Sequence, residues 1–200
     1  MIILLASQED IKNEAQILNQ LFEFSLECYH LSKPYKNHQE HTDFLNEIDS
    51  NYLNRIVLHN FHELTNEFDI KGIHFEEEIR RAYIETPTRY FKDLNLFGKT
   101  ISSSFHELKE LDASDFEFDY HILDLGTFST SNPNHTIKEP DVNLIDKAII
   151  AMGDINKNHI REVLDLGFKG AVISKSIWES DEPVQSFIDL KAIYDTLIKL

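Results

Sequence analysis

The chain has 200 residues, 42% of them hydrophobic, a formal net charge of −16 and an isoelectric point near 4.9. That length and apolar content suit one domain, 1–200, with a sizeable core, and the acidic excess argues against nucleic acid or an anionic membrane surface as a partner, because both would be repelled. Cys28 is the only cysteine, so no intrachain disulfide can form. No apolar run is long enough to cross a bilayer, and the apolar opening Met1 to Ala6 is too short for a signal peptide before it meets Glu9 and Asp10, so a soluble cytoplasmic protein is expected.

In chain order, Met1 to Ala6 reads as a buried strand, followed by a helix from about Gln8 with Ile17, Leu18, Leu21 and Phe22 at helical spacing. Glu27 to Leu31 is a second strand, and the polar stretch after Pro34 leads into a helix through Phe44, Leu45, Ile48 and Leu53. Ile56 to His59 is a third strand, Glu63 to Phe68 a short helix, and Gly72 to Phe75 a fourth strand. Glu76 to Glu78 then place negative charge where a helix dipole favours it. Pro87 interrupts the helix from Ile79; Lys99 to Ser103 is strand five, Phe105 to Leu111 a helix, and Tyr120 to Leu125 strand six. The Ser, Thr, Asn and Pro content of 126–140 predicts a long loop that could act as a lid. Ala148 to Met152 and Ala171 to Ile173 are strands seven and eight, joined by a helix that Asn156 caps and Gly167 ends, and Pro183 to Leu200 is a closing helix. Eight strands alternating with helices predict an α/β fold, a single-domain (β/α)8 TIM barrel of minimal length, with an open doubly wound sheet as the alternative.

In such a barrel the chemistry sits at the carboxyl ends of the strands. Those ends carry His30, Ser32 and Lys33; His59 and Asn60; His74 and Glu76 to Glu78; Ser102 to Ser104 with His106; Asp124; Gly153, Asp154 and Asn156; and Ser174. Hydroxyls, amides and a small-residue turn after the last two strands suit a phosphorylated small molecule, with Lys33 as a countercharge. His30, His59 and His74 fall at the ends of three adjacent strands, where three imidazoles would hold zinc if they converged; histidines donating to backbone carbonyls are the commoner arrangement and are favoured. Glu77 and Glu78 are candidate Mg²⁺ carboxylates, although acidic residues at the start of a helix have an ordinary electrostatic explanation. For Gly153 and Ser174 the plain alternative is turn geometry with a capping hydroxyl.

The segments YHLSKP, IVLHN, KGIHFEEE, ISSSFHELKEL, DYHILDLGTFSTS, AIIAMGDIN and LGFKGAVISKSIW, taken together and in order, resemble the thiamine phosphate synthase and TenI family over nearly the whole chain. The resemblance implies a barrel that joins an aminopyrimidine methyl diphosphate to a thiazole phosphate and releases pyrophosphate with Mg²⁺. By the same resemblance, Gly153, Ile173 and Ser174 match the thiazole phosphate anchor, Ser129, Thr130 and Ser131 its hydroxyl-bearing lid, Ser104 the serine beside pyrophosphate, and His106 the family's SxH histidine.

The diphosphate half departs from the family. Its Gln-Leu-Arg motif reads His30-Leu31-Ser32, with Lys33 one place later, and its Asn-Asp metal motif reads His59-Asn60. The second metal aspartate falls near Ile79, leaving Glu77 or Glu78, and the lid lysine near Asn132, with Lys138 as the nearest alternative. Three functions remain open: a divergent synthase, which leads, with Lys33, Ser104 and His106 as its catalytic residues; a TenI-type thiazole tautomerase in which His106 moves a proton; and a non-catalytic binder of a thiamine precursor. The expected partners are phosphorylated substrates and at most a second copy of the chain in a homodimer.

Overall fold

The computed structural model of the chain describes residues 1–84, 90–126 and 142–199. Eight parallel strands close into a barrel in sequence order: β1 (Ile2–Leu5), β2 (Cys28–Leu31), β3 (Ile56–Leu58), β4 (Gly72–Phe75), β5 (Thr100–Phe105), β6 (Tyr120–Asp124), β7 (Ile149–Met152) and β8 (Ala171–Ile173). Pairing of β1 with β8, Ile3 opposite Val172, closes the ring, so the open-sheet alternative is set aside. The helices are α1 (Glu14–Glu23), α2 (His38–Glu47), α3 (Glu77–Tyr83), α4 (Leu108–Asp112), α5 (Ile160–Asp165), α6 (Lys175–Trp178) and α7 (Pro183–Leu197). No helix among the described residues is long and apolar enough to cross a membrane.

Strand alternation divides the core in two. Ile3, Cys28, Val57, Tyr120, Ile122, Ile150 and Val172 fill the lumen. Their neighbours Leu4, Tyr29, Leu31, Leu58, Ile73, Phe75, Phe105 and Ile173 point outward and pack with Leu18, Leu21, Phe187 and Leu190 of the helices. The same alternation turns His30 and His74, two residues beyond Cys28 and Gly72, toward the lumen.

Several element boundaries differ from the sequence expectation for local reasons. Asn13 takes a left-handed backbone (φ 58°), so the helix expected from Gln8 starts at Glu14. Asn156 caps nothing: its Oδ1 accepts from Asn158 N–H in a tight turn at 2.9 Å, and α5 begins at Ile160 with His159 before it. The segment after β3 is a 3-10 turn, His62–Asn66, rather than an α-helix. The loop expected at 126–140 lies, after Gly126, outside the described residues.

Gly72 permits the closest approach between β4 and β5. It pairs with Thr100, and a Cβ at this position would run into the Thr100 carbonyl and side chain. Backbone cannot yield as a side-chain tip can, so Gly72→Ala is expected to lose about 3 kcal/mol by urea unfolding, the upper range of overpacking. Wild-type stability in that variant would show that the two strands have room to separate.

Candidate active site at the barrel mouth

One side of the mouth is lined by imidazoles and hydroxyls. His30 Nδ1 lies 2.9 Å from His59 Nε2, and His30 Nε2 lies 2.7 Å from the Tyr120 hydroxyl. His59 Nδ1 faces the Glu76 carboxylate at 3.4 Å. The His74 ring sits between Ser102 Oγ at 2.8 Å and Ser104 Oγ at 2.7 Å. Its plane stacks on His59, with ring centroids 4.3 Å apart.

An ionised Glu76 fixes the protons along this chain, because a carboxylate only accepts. His59 Nδ1–H then donates to Glu76, His30 Nδ1–H donates to His59 Nε2, and Tyr120 O–H donates to His30 Nε2. Burial holds His30, His59 and His74 below the ordinary histidine value, in the neutral form this order requires. The hydrogen bond from His59 holds the Glu76 carboxyl below its usual value, and burial keeps the Tyr120 phenol protonated by raising it well above its usual value.

His106 stands outside this chain, exposed, just past the end of β5. Its Nδ1 is 2.7 Å from Glu77 Oε2, which also accepts the His106 backbone N–H at 2.8 Å, and its Nε2 is 3.7 Å from Asp124. The hydrogen bond to Glu77 raises the imidazole above its ordinary value. Burial pushes the Glu77 carboxyl up, but hydrogen bonds from His106 and the charges of His106 and Arg81 leave it lowered. A histidine between two carboxylates, open to the mouth, is a competent proton donor and acceptor.

The opposite side of the mouth, at the ends of β1, β7 and β8, holds a cavity of about 640 Å³ lined by Gly153, Asn156, Ser174, Lys175 and Trp178 among others. Ser174 precedes α6, yet its side chain makes no capping bond. The capping-hydroxyl alternative is therefore set aside, and the hydroxyl remains available to the cavity. Glu9, Asp154 and Glu179 also line it, against Lys175 as the one cation among the described residues. Among the described residues, backbone amides and hydroxyls rather than side-chain charge are what this wall offers an anion. Ile173 lines nothing with its side chain, which packs in the outer core.

The remaining candidates divide sharply. Lys33 points away from the lumen: its Nζ bonds Glu14 Oε2 at 2.7 Å and the Glu9 carbonyl at 3.1 Å, so its charge is already paired. Both oxygens of Glu77 are occupied, Oε1 by Arg81 at 2.7 Å and Oε2 by His106. Glu78 is exposed on α3. Asn60 follows His59 and has a buried Oδ1 without a hydrogen-bond partner among the described residues. Ser129, Thr130 and Ser131, with Asn132 and Lys138, lie outside the described residues. Mg²⁺ takes oxygen ligands, but of the carboxylates after β4 Glu76 is engaged by His59, Glu77 by Arg81 and His106, and Glu78 lies exposed on α3, while imidazoles occupy the space between the ends of β3 and β4. These groups do not fit Mg²⁺.

The sequence expectation does not include Tyr120 as the partner of His30, although its place two residues before the lumen residue Ile122 marks it as inward. No family model matches the chain, and no curated protein matches it. Solved structures do match. A thiamine phosphate pyrophosphorylase from Bacteroides thetaiotaomicron shares 24% identity at a TM-score of 0.77, with 98% of this chain and 97% of that one covered. Another from Pyrococcus furiosus shares 16% identity at 0.78, with 98% and 96% covered. A 3-hexulose-6-phosphate synthase from Salmonella typhimurium shares 11% at 0.66, with 98% and 99% covered. The chain thus shares the fold of these thiamine phosphate pyrophosphorylases, a fold that also carries other chemistries.

Proposed function

We propose that this chain is an enzyme of thiamine metabolism that holds a thiazole phosphate in the cavity at the ends of β7 and β8 and moves a proton on its ring, a TenI-type tautomerase. The observation that carries this reading is the uncapped Ser174 hydroxyl on a roomy cavity beside Gly153. The phosphate is accepted by backbone amides and the serine, and His106, polarised by Glu77 and Asp124, takes a proton from one ring position and returns it to another. Tautomerisation leaves no charge to neutralise and needs neither Mg²⁺ nor Lys33.

The synthase reading is second, supported by the full-length likeness to two thiamine phosphate pyrophosphorylases. Against it stands the charge inventory, since Lys33 is paired with Glu14 and Glu77 with His106 and Arg81. A diphosphate leaving group needs those charges free.

The two readings separate when the protein is given thiazole phosphate, aminopyrimidine methyl diphosphate and Mg²⁺, singly and together. Deuterium exchange into thiazole phosphate without pyrophosphate release supports the tautomerase, and loss of exchange in His106→Asn assigns the proton carrier. Pyrophosphate release with coupled product would establish the synthase. Ser174→Asp places a carboxylate where the phosphate is held and should weaken thiazole phosphate binding at least 100-fold by calorimetry. Unchanged binding removes the cavity from the proposal.

A further inference from the structure

The three lumen histidines also form a constellation that proton transfer on a thiazole does not use. One ligand nitrogen from each of His30, His59 and His74 can be chosen so that all three lie within 4.8 Å of one another. We propose that they bind a single transition-metal ion of the Zn²⁺ type inside the barrel mouth, with the fourth position open beside Ser104.

Donor type is the first support. Imidazole suits zinc, cobalt, nickel and copper, whereas magnesium and calcium demand oxygen. Orientation is the second. Metal-bound histidines usually tie their other ring nitrogen to a carboxylate, hydroxyl or carbonyl, which fixes the ring. His59 is tied through Nδ1 to Glu76, His30 through Nε2 to Tyr120, and His74 through Nδ1 to Ser102. The nitrogens left over include His59 Nε2 and His30 Nδ1, which face each other at 2.9 Å. Two tetrahedral zinc ligands at about 2.0–2.1 Å from the metal stand roughly 3.3 Å apart, so the pair must open by only a few tenths of an ångström.

The protons balance without an external acceptor. On metal binding the His30 proton moves from Nδ1 to Nε2 and donates to the Tyr120 oxygen, whose own O–H turns away. His59 keeps its Nδ1–H on Glu76. His74 gives up its Ser104 partner and retains Ser102, which leaves the Ser104 hydroxyl next to the ion and a place for water or a substrate oxygen. Depth favours the site as well, because His30 and His74 are fully buried and His59 nearly so, and a metal there is shielded from the many surface carboxylates of this acidic chain.

The test uses the full chain stripped of metal by chelation. Titration with Co²⁺ should give one saturable equivalent with the strong visible absorption of a four-coordinate ion, displaced by Zn²⁺ at one equivalent. His59→Ala should weaken Zn²⁺ at least 100-fold in competition with a chromogenic chelator, and Glu76→Gln, which loosens His59 without removing a ligand, 10- to 100-fold. His38→Ala, which changes a half-buried histidine on α2 away from the cluster, should bind as wild type does. Absence of a saturable equivalent in the wild type, or equal affinity in His59→Ala, overturns the site. Should His59→Ala fail to fold, Glu76→Gln decides alone, and unchanged affinity there is the overturning result.

Discussion

Lowering the pH from 7 to 5 is expected to destabilise the metal-free protein by about 3 kcal/mol or more. His62, packed between Phe75 and Tyr90, is pushed by burial down to about 4 from an ordinary 6.5. His121, against Phe105 and Phe118, is likewise lowered by burial to about 4, with Lys147 adding to it. For a histidine whose folded value is depressed, the unfolded chain binds more protons once the pH drops below about 6.5, so stability is complete above that value and is lost as the pH falls. Between pH 7 and 5 such a group costs about 2 kcal/mol for His62, and about 1 for His121 after allowance for solvent screening. The lumen histidines shift in the same direction. Urea midpoints at intervals across this range would measure the slope, and a flat profile would mean that these imidazoles are hydrated in the folded state.

Lys33→Ala should cost about 3–5 kcal/mol, because it strands a carboxylate inside the protein. Lys33 and Glu14 side chains are each 8% exposed and 2.7 Å apart, and Tyr29 donates to the other Glu14 oxygen at 2.9 Å. Removing both charges is a different experiment: Lys33→Met with Glu14→Leu should recover most of the loss, since the desolvation of two ions disappears with their attraction. Urea unfolding of the two single variants and the pair measures this directly. A Lys33→Ala protein of unchanged stability but impaired pyrophosphate release would instead place the lysine at a diphosphate and restore the synthase reading.

That residue marks where the sequence stops being informative. Most strands were legible as short apolar runs, although β5 carries three consecutive serines, and Gly72 to Phe75 and Ala171 to Ile173 match the structure to the residue. Helix starts were less so: a left-handed Asn13 and a side-chain turn at Asn156 delay α1 and α5, and neither conformation has a signature beyond the asparagine itself. Residue type and strand position place His30, His59, His74 and Ser104 at the carboxyl ends of β2 to β5, where the structure has them, but carry no direction for their side chains. Counting in twos from Cys28 or Gly72 would have turned His30 and His74 inward, and the convergence that looked uncommon follows from that count. The position of Lys33 beside the mouth gave no hint that Glu14, nineteen residues earlier, holds it against the outer face of β2.

Trp178 is the chain's single tryptophan, and its indole N–H donates to the Leu5 carbonyl at 2.8 Å while the ring forms part of the wall of the 640 Å³ cavity. Its emission therefore reports on one place only, without contribution from another indole. A molecule settling beside Ser174 would alter the polarity around that ring and shift or quench its fluorescence, and because Leu5 pairs in register with His30 the same indole also stands one strand away from the histidine cluster. Events at the barrel opening can thus be followed in unlabelled protein, with the Ser174→Asp and His59→Ala variants telling the cavity from the histidines.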